Sequence, residues 1–125
     1  MAKKRKLLVV DDIQMITDLF NYEFEDEFEV TSARNGAEGL KLASSLRPDV
    51  ILLDVIMPDI TGIEVARRLS VQPDTSRIPI VVITGAPNAE TESQLKELPN
   101  FRGFLSKMDS SQKIKETVRN ALKRK

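Results

Sequence analysis

Asp54 closes an apolar run, Val50-Ile51-Leu52-Leu53, and is followed at once by Val55-Ile56-Met57-Pro58. Asp11-Asp12 closes a second run, Leu7-Leu8-Val9-Val10. Thr84 closes a third, Ile80-Val81-Val82-Ile83, and Lys107 follows Phe104-Leu105-Ser106. If the runs are parallel strands, their ends meet at one sheet edge, where open α/β sheets bind ligands. Three clustered carboxylates repel, so at least one must hold a proton more tightly unless a cation intervenes. Oxygen donors without histidine or cysteine favour a hard ion, magnesium (Mg2+) first and Mn2+ next. An aspartate in such a site can act as a nucleophile and form an acyl phosphate. Phosphoryl transfer then needs positioning and charge neutralisation, for which a metal and Lys107 are suited, with Thr84 as a hydrogen-bond donor to a phosphoryl oxygen.

Each residue also has a plainer role when taken alone. Asp11-Asp12 suits a helix cap, Asp54 a turn before Pro58, Thr84 an ordinary β-branched strand position, and Lys107 a solvated loop. The plainer roles weaken together, because all four places fall at the same edge by the same logic.

The elements that must position these residues are read from periodicity. Five strands are expected: Leu7 to Val10, Phe28 to Ala33, Val50 to Asp54, Ile80 to Thr84 and Phe101 to Ser106. Helices lie between them. Ile16, Leu19, Phe20 and Phe24, with Ile13 before them, mark the first. Asn35-Gly36 opens the second, with Ala37, Leu40 and Ala43 at helical spacing; Pro48-Asp49 ends it. The third spans Gly62 to Ser70. The fourth, Ala89 to Leu98, has only Leu95 and Leu98 as large apolar residues, which predicts low local stability. The fifth runs from Ser110 to Lys125 with Ile114, Val118, Ala121 and Leu122 on one side. Continuous apolar strands between amphipathic helices imply a parallel sheet covered on both faces. Met15, Met57 and Met108 read as packing residues.

Composition sets the bounds. The chain has 125 residues, 19 basic and 19 acidic, and neither cysteine nor histidine. It fits one domain, 1–125. The neutral balance gives no pull toward nucleic acid or an anionic membrane. No stretch suits membrane insertion, and the basic start, Lys3 to Lys6, lacks the apolar region of a signal peptide. The cytoplasmic compartment is the default expectation. Lys123 to Lys125 complement the negative end of the last helix.

The whole chain resembles the response-regulator receiver domain of two-component signalling, in its stand-alone, chemotaxis-receiver-like form. The resemblance rests on several motifs in order. They are Leu8 to Asp12, Ala33-Arg34-Asn35-Gly36-Ala37-Glu38-Gly39-Leu40, Pro48 to Pro58, Thr61-Gly62, Ile78 to Gly85, and Ser106-Lys107. It implies a flavodoxin-like (βα)5 fold with strand order 2-1-3-4-5, for which a receiver protein is itself a standard example. It implies that Asp54 accepts a phosphoryl group from a phosphohistidine on a sensor histidine kinase or histidine phosphotransfer protein. Asp12 and Asp54, with the backbone carbonyl of Ile56, would ligate the metal directly, and Asp11 would act through water or a second contact. Lys107 would pair with Asp54 or its phosphate. Thr84 would move onto the phosphoryl oxygens and couple to Phe104. Ile56 and Ala86 would modulate the decay of the acyl phosphate.

Such a protein is a signalling switch rather than an enzyme with turnover. It catalyses its own phosphorylation and slow self-dephosphorylation, and presents the face of the fourth helix, fifth strand and fifth helix to a downstream effector protein. Nucleic acid is not a direct partner. The chain is expected to be a stand-alone receiver or one excised from a longer regulator.

Three departures from the family pattern stand out. Met108 replaces the proline after the lysine, where the family bond is commonly cis; a cis bond before any other residue costs about 2.5–4 kcal/mol, so this loop should run differently. Gly85 replaces alanine, which loosens the loop. Phe104 lacks the hydroxyl of the frequent tyrosine. Two other classes compete: a pseudo-receiver that only binds proteins, and a phosphohydrolase or nucleotide-binding enzyme. Against the last, Asp54-Val55-Ile56 lacks a second aspartate two residues on, and no Gly-rich phosphate loop occurs.

Overall fold

The computed structural model describes residues 4–123. Lys3 of the basic start, and Arg124 and Lys125 of the segment expected to complement the last helix, lie outside them. Five strands and five helices alternate: β1 (Arg5–Val10), α1 (Gln14–Phe24), β2 (Phe28–Ala33), α2 (Gly36–Leu46), β3 (Val50–Asp54), α3 (Gly62–Val71), β4 (Ile80–Thr84), α4 (Ala89–Lys96), β5 (Phe101–Ser106) and α5 (Ser111–Ala121). All strand pairs are parallel, in the order β2-β1-β3-β4-β5. This is the expected flavodoxin-like sheet. No helix among the described residues is long and apolar enough to cross a membrane.

Strand alternation divides the core into two layers. Leu8, Val10, Ile51, Leu53, Ile80 and Val82 face α2, α3 and α4, represented by Ala43, Leu69 and Leu95. Leu7, Val9, Leu52, Val81 and Ile83 face α1 and α5, represented by Phe24, Ile114 and Val118. The central strands β3 and β4 are buried along their whole length, as a doubly covered sheet requires.

Capping explains several helix starts. Asn35, Thr61, Asn88 and Ser110 each accept a hydrogen bond from the amide three residues on, which satisfies a donor that has no intrahelical partner. α4 and α5 are shorter than expected, while α3 runs one residue longer, to Val71. α5 ends at Ala121 and α4 at Lys96.

Several expected core positions turn outward. Ile13 and Leu19 are exposed, and Thr17 takes the inward place on α1 with Phe20 and Phe24. Ala37 is exposed, while Gly36 and Gly39 face inward on α2. Arg47, in the left-handed region at φ 51°, ends α2 ahead of Pro48-Asp49. Of the methionines read as packing, Met57 is buried, but Met15 and Met108 are exposed at 78% and 88%. They flank the start of α1 and the turn before α5, which have no further layer to cover them.

One feature of β5 breaks simple alternation. Ile80 pairs with Phe101, but Val81 pairs with Gly103, so Arg102 is passed over in the register. This is a β-bulge, and it turns every later residue of β5 to the opposite face.

Candidate functional site

The site follows from register. Val10 pairs with Leu53, which brings Asp11 beside Asp54, and Thr84 pairs with Ser106, which brings Lys107 to the same edge. Oxygen atoms of Asp11, Asp12 and Asp54 lie within 4.8 Å of one another. Asp11 and Asp54 are buried, whereas Asp12 is half-buried. The Lys107 Nζ sits 2.8 Å from Asp11 Oδ2 and 3.4 Å from Asp54 Oδ1. Its closer partner is therefore Asp11.

The charge balance follows from these distances. Burial, and after it the Asp11 charge, pushes the Asp54 carboxyl up to about 6, against the opposing pull of Lys107. Burial disfavours the Lys107 ammonium, but the hydrogen bond and charge of Asp11, followed by Asp54, outweigh it and raise its pKa. Asp54 is thus the carboxylate whose ionisation the cluster resists.

The donor set suits a hard divalent ion. It consists of oxygens alone, gathered within reach of one ion. Asp11 Oδ1 accepts from the Ile13 amide at 3.0 Å. Asp11 Oδ2 is buried without a hydrogen bond of ordinary angle and is met by the lysine ammonium.

The loops that carry the site differ in their anchoring. After β3, Gly62 donates its amide to the Val55 carbonyl at 2.7 Å. A Cβ on Gly62 would lie 2.1 Å from the Asp54 carbonyl oxygen, so only glycine permits this approach. The Asp59 carboxylate accepts from the Gly36 and Ala37 amides, both at 2.9 Å. After β5, the Lys107 amide donates to the Thr84 carbonyl at 2.9 Å. Ser106 and Asp109 close the next turn: the Ser106 amide donates to Asp109 Oδ2 at 2.8 Å. The Lys107–Met108 bond is trans, since no peptide bond among the described residues is cis.

The remaining expected site residues lie near but outside the acidic cluster. Thr84 is buried, and its Oγ1 accepts from the Ala86 amide at 3.2 Å. Phe104 is half-buried against the α2/α3/α4 layer. Ile56 and Ala86 are exposed at the rim, Ile56 at 67%. Ile13 and Met108 are exposed beside the same cluster. The sequence reading did not single out the supports Asp59, Asp109 and Arg102. The two acidic residues have no periodic signal. Arg102 had one: two phenylalanines three apart in a strand cannot share a face without an inserted residue.

A strand order of 2-1-3-4-5 with an acidic cluster at the carboxyl edge defines a class, and comparison with known proteins identifies it. The chain belongs to the response regulator receiver domain family, whose model matches residues 7–119. It is similar to the protein PilH of Pseudomonas aeruginosa, 29% identical over 94% of this chain and 97% of that protein. It is also similar to the polar-differentiation response regulator DivK of Brucella anthropi, 29% identical over 94% of this chain and 96% of the relative. Among solved structures, Vibrio cholerae chemotaxis protein CheY4 superposes with a TM-score of 0.88 at 30% identity, covering 96% of this chain and 100% of that one. Receivers of this family are signalling switches of two-component systems.

Proposed function

We propose that this chain is a phosphorylatable receiver in which Asp54 accepts a phosphoryl group from a partner's phosphohistidine in the presence of Mg2+ (or Mn2+). The observation that carries it is the buried Asp54 held beside Asp11 and Lys107 at the strand ends. A pseudo-receiver has no need of this constellation. A carboxylate oxygen of Asp54 attacks phosphorus; the P–O bond forms as the P–N bond breaks, and the partner's imidazole nitrogen takes the electron pair. A bound divalent ion supplies charge neutralisation at the phosphoryl oxygens. Asp12, Asp54 and the Ile56 carbonyl are the proposed direct ligands, and Asp11 the proposed water-mediated one. Lys107, already drawn to Asp11, stands where it can meet the phosphoryl group once charge accumulates on Asp54.

The donor is a sensor histidine kinase or a histidine phosphotransfer protein. Its histidine must come from outside, since the chain has none. The exposed apolar rim of Ile13, Ile56 and Met108 supports a protein surface over the site. The proposed output is the α4–β5–α5 face, read by a downstream effector protein in the cytoplasm. Thr84 closes on the phosphoryl oxygens, gives up the Ala86 amide, and makes room for Phe104 to turn inward. The phosphoryl group shifts this equilibrium only by what it gains in one state over the other.

Acetyl phosphate with Mg2+ should add one phosphoryl group by mass, and Asp54→Asn should abolish it. Equal labelling of Asp54→Asn, or of wild type in excess chelator, would overturn the assignment. The acyl phosphate should also be long-lived, because neither the Ile56 nor the Ala86 side chain can hydrogen-bond an attacking water and Ile56 can shield the phosphoryl group. Ile56→Asn and Ala86→Glu should each speed its decay. Unchanged or slower decay in both would refute this role.

A further inference from the structure

In an unbroken strand, Phe101 and Phe104 would point to opposite faces of the sheet. Both instead pack on the α2/α3/α4 layer, while Leu105 packs on the α1/α5 layer. The bulge at Arg102 is what allows this, since pairing resumes with Gly103 opposite Val81 and Phe104 opposite Val82. With Arg102 taken into the ladder instead of passed over, Phe104 would face α5, away from α4. Leaving Arg102 out of the ladder therefore decides whether the aromatic side chain can reach the α4 face at all.

The structure around the bulge holds it firmly. Arg102 Nη1 donates to the carbonyls of Pro99 at 2.7 Å and Phe101 at 3.1 Å. Asn100 is buried and donates Nδ2 to the Ile78 carbonyl at 3.0 Å, while its own carbonyl accepts from the Ile80 amide at 2.9 Å. Gly103 packs so close to α5 that a Cβ would lie 2.7 Å from Thr117 Cγ2. The opposite end of α4 is tied by short-range hydrogen bonds, from the Thr91 amide to Asn88 Oδ1 and from the Ala86 amide to Thr84 Oγ1, and residues 85–90 are all exposed.

We propose that Arg102 is a positioning residue of the switch: its guanidinium holds the β5 bulge, which keeps Phe104 on the α4 face and makes the α4–β5 junction the fixed end about which α4 moves. This rests on the reading of the chain as a phosphorylatable receiver. Arg102 touches none of the phosphoryl chemistry. It acts by keeping the aromatic where Thr84 can couple to it, and by leaving the free end of α4 beside Gly85 as the end that responds.

The test uses the full chain with Arg102→Met, which keeps the apolar stem and removes the donors, and Arg102→Lys, which keeps a donor. Acetyl phosphate labelling should match wild type in both. Backbone amide shifts induced by beryllofluoride with Mg2+ should persist around Asp54 and Thr84 in Arg102→Met. Those between 89 and 104 should fall about twofold or more, and Arg102→Lys should restore most of the loss. A merely structural role predicts a lower unfolding midpoint with shifts transmitted in full. Transmission equal to wild type in Arg102→Met, or equal loss in both variants, overturns the proposal. Failure of wild type to be labelled would instead sink the receiver reading, and this inference with it.

Discussion

The loops after β3 and β4 leave the sheet side by side and flank the same site, yet they are built in opposite ways. The β3 loop buries Met57, returns the Gly62 amide to Val55, and plants Asp59 on the first amides of α2. The β4 loop is exposed from residue 85 to 90, and Gly85 has nothing within 4 Å of where a Cβ would stand. The helix behind the β3 loop buries Gly62, Val65, Ala66 and Leu69, whereas α4 buries Leu95 alone. Local opening costs least where few apolar contacts must break. The acceptor side is thus held still, and the reading side is left free to change. A switch needs that asymmetry, because a phosphoryl group on a mobile carboxylate would spend its interaction energy on ordering the site.

The sharpest way to break the comparison is to put the same methyl on each loop. Gly62→Ala drives a Cβ into backbone: 2.1 Å from the Asp54 carbonyl oxygen and 2.8 Å from Val55 Cα. Backbone cannot step aside as a side-chain tip can, so the loss should reach the upper end of overpacking costs, about 3 kcal/mol or more. Chemical denaturation measures it, and acetyl phosphate labelling should fall with it. A loss under about 0.5 kcal/mol, the range of neutral surface changes, would mean that the β3 loop is not rigid.

The next effect sharpens the comparison at the acceptor itself. Asp54 is held near pKa 6 in the fold against an ordinary 3.8. The folded state therefore binds the proton more tightly than the unfolded chain. The stability this confers is fully present below pH 3.8 and is lost as pH rises through about 6. At neutral pH, without metal, the ionised Asp54 should cost on the order of 2–3 kcal/mol. Asp54→Asn should recover most of that at pH 7 and little at pH 4, by urea unfolding in chelator. Equal gains at both pH values would show that the acceptor is not strained by its burial. The same titration predicts that metal-free Asp54 loses its nucleophilic form as pH drops below about 6.

How much of this was legible in the residues depends on the kind of signal. The parallel sheet and the gathering of Asp11, Asp12, Asp54, Thr84 and Lys107 followed from apolar runs that end in polar residues, a pattern each strand carries on its own, whereas the strand order came only with the family resemblance. The weakness of α4 was visible in its lack of large apolar residues. What was not legible is pairwise. That Lys107 sits closer to Asp11 than to Asp54 depends on side-chain reach across a site. That Asp59 ties its loop to α2 depends on two segments meeting from a distance in sequence. The outward turn of Ile13 and Leu19 was missed because both match the helical period, while Thr17 hides its hydroxyl by donating to the Gln14 carbonyl at 2.9 Å. The bulge at Arg102 was not legible from the bounds of β5 alone, because it shows only when Phe101 and Phe104 are assigned to one face.

The smallest effect closes the comparison from the other side. Gly85 does not occupy the left-handed region, because no glycine among the described residues has positive φ. Alanine can therefore adopt its conformation, and its methyl meets nothing within 4 Å. What changes is the unfolded chain, which loses freedom, so Gly85→Ala should stabilise the domain by about 0.4–1 kcal/mol. The methyl also narrows the conformations open to the loop in the folded state. Labelling of Asp54 should proceed as in wild type, since Gly85 supplies no group to the chemistry. Amide hydrogen exchange across residues 85–90 should slow, and the shifts induced by beryllofluoride on α4 should shrink modestly. The two alanines are thus predicted to differ in sign, one destabilising a loop that has no room and the other stabilising a loop that has nothing but room. If Gly85→Ala destabilises as Gly62→Ala does, the β4 loop is packed in solution by contacts of its own, and mobility on that side cannot be the source of the switch.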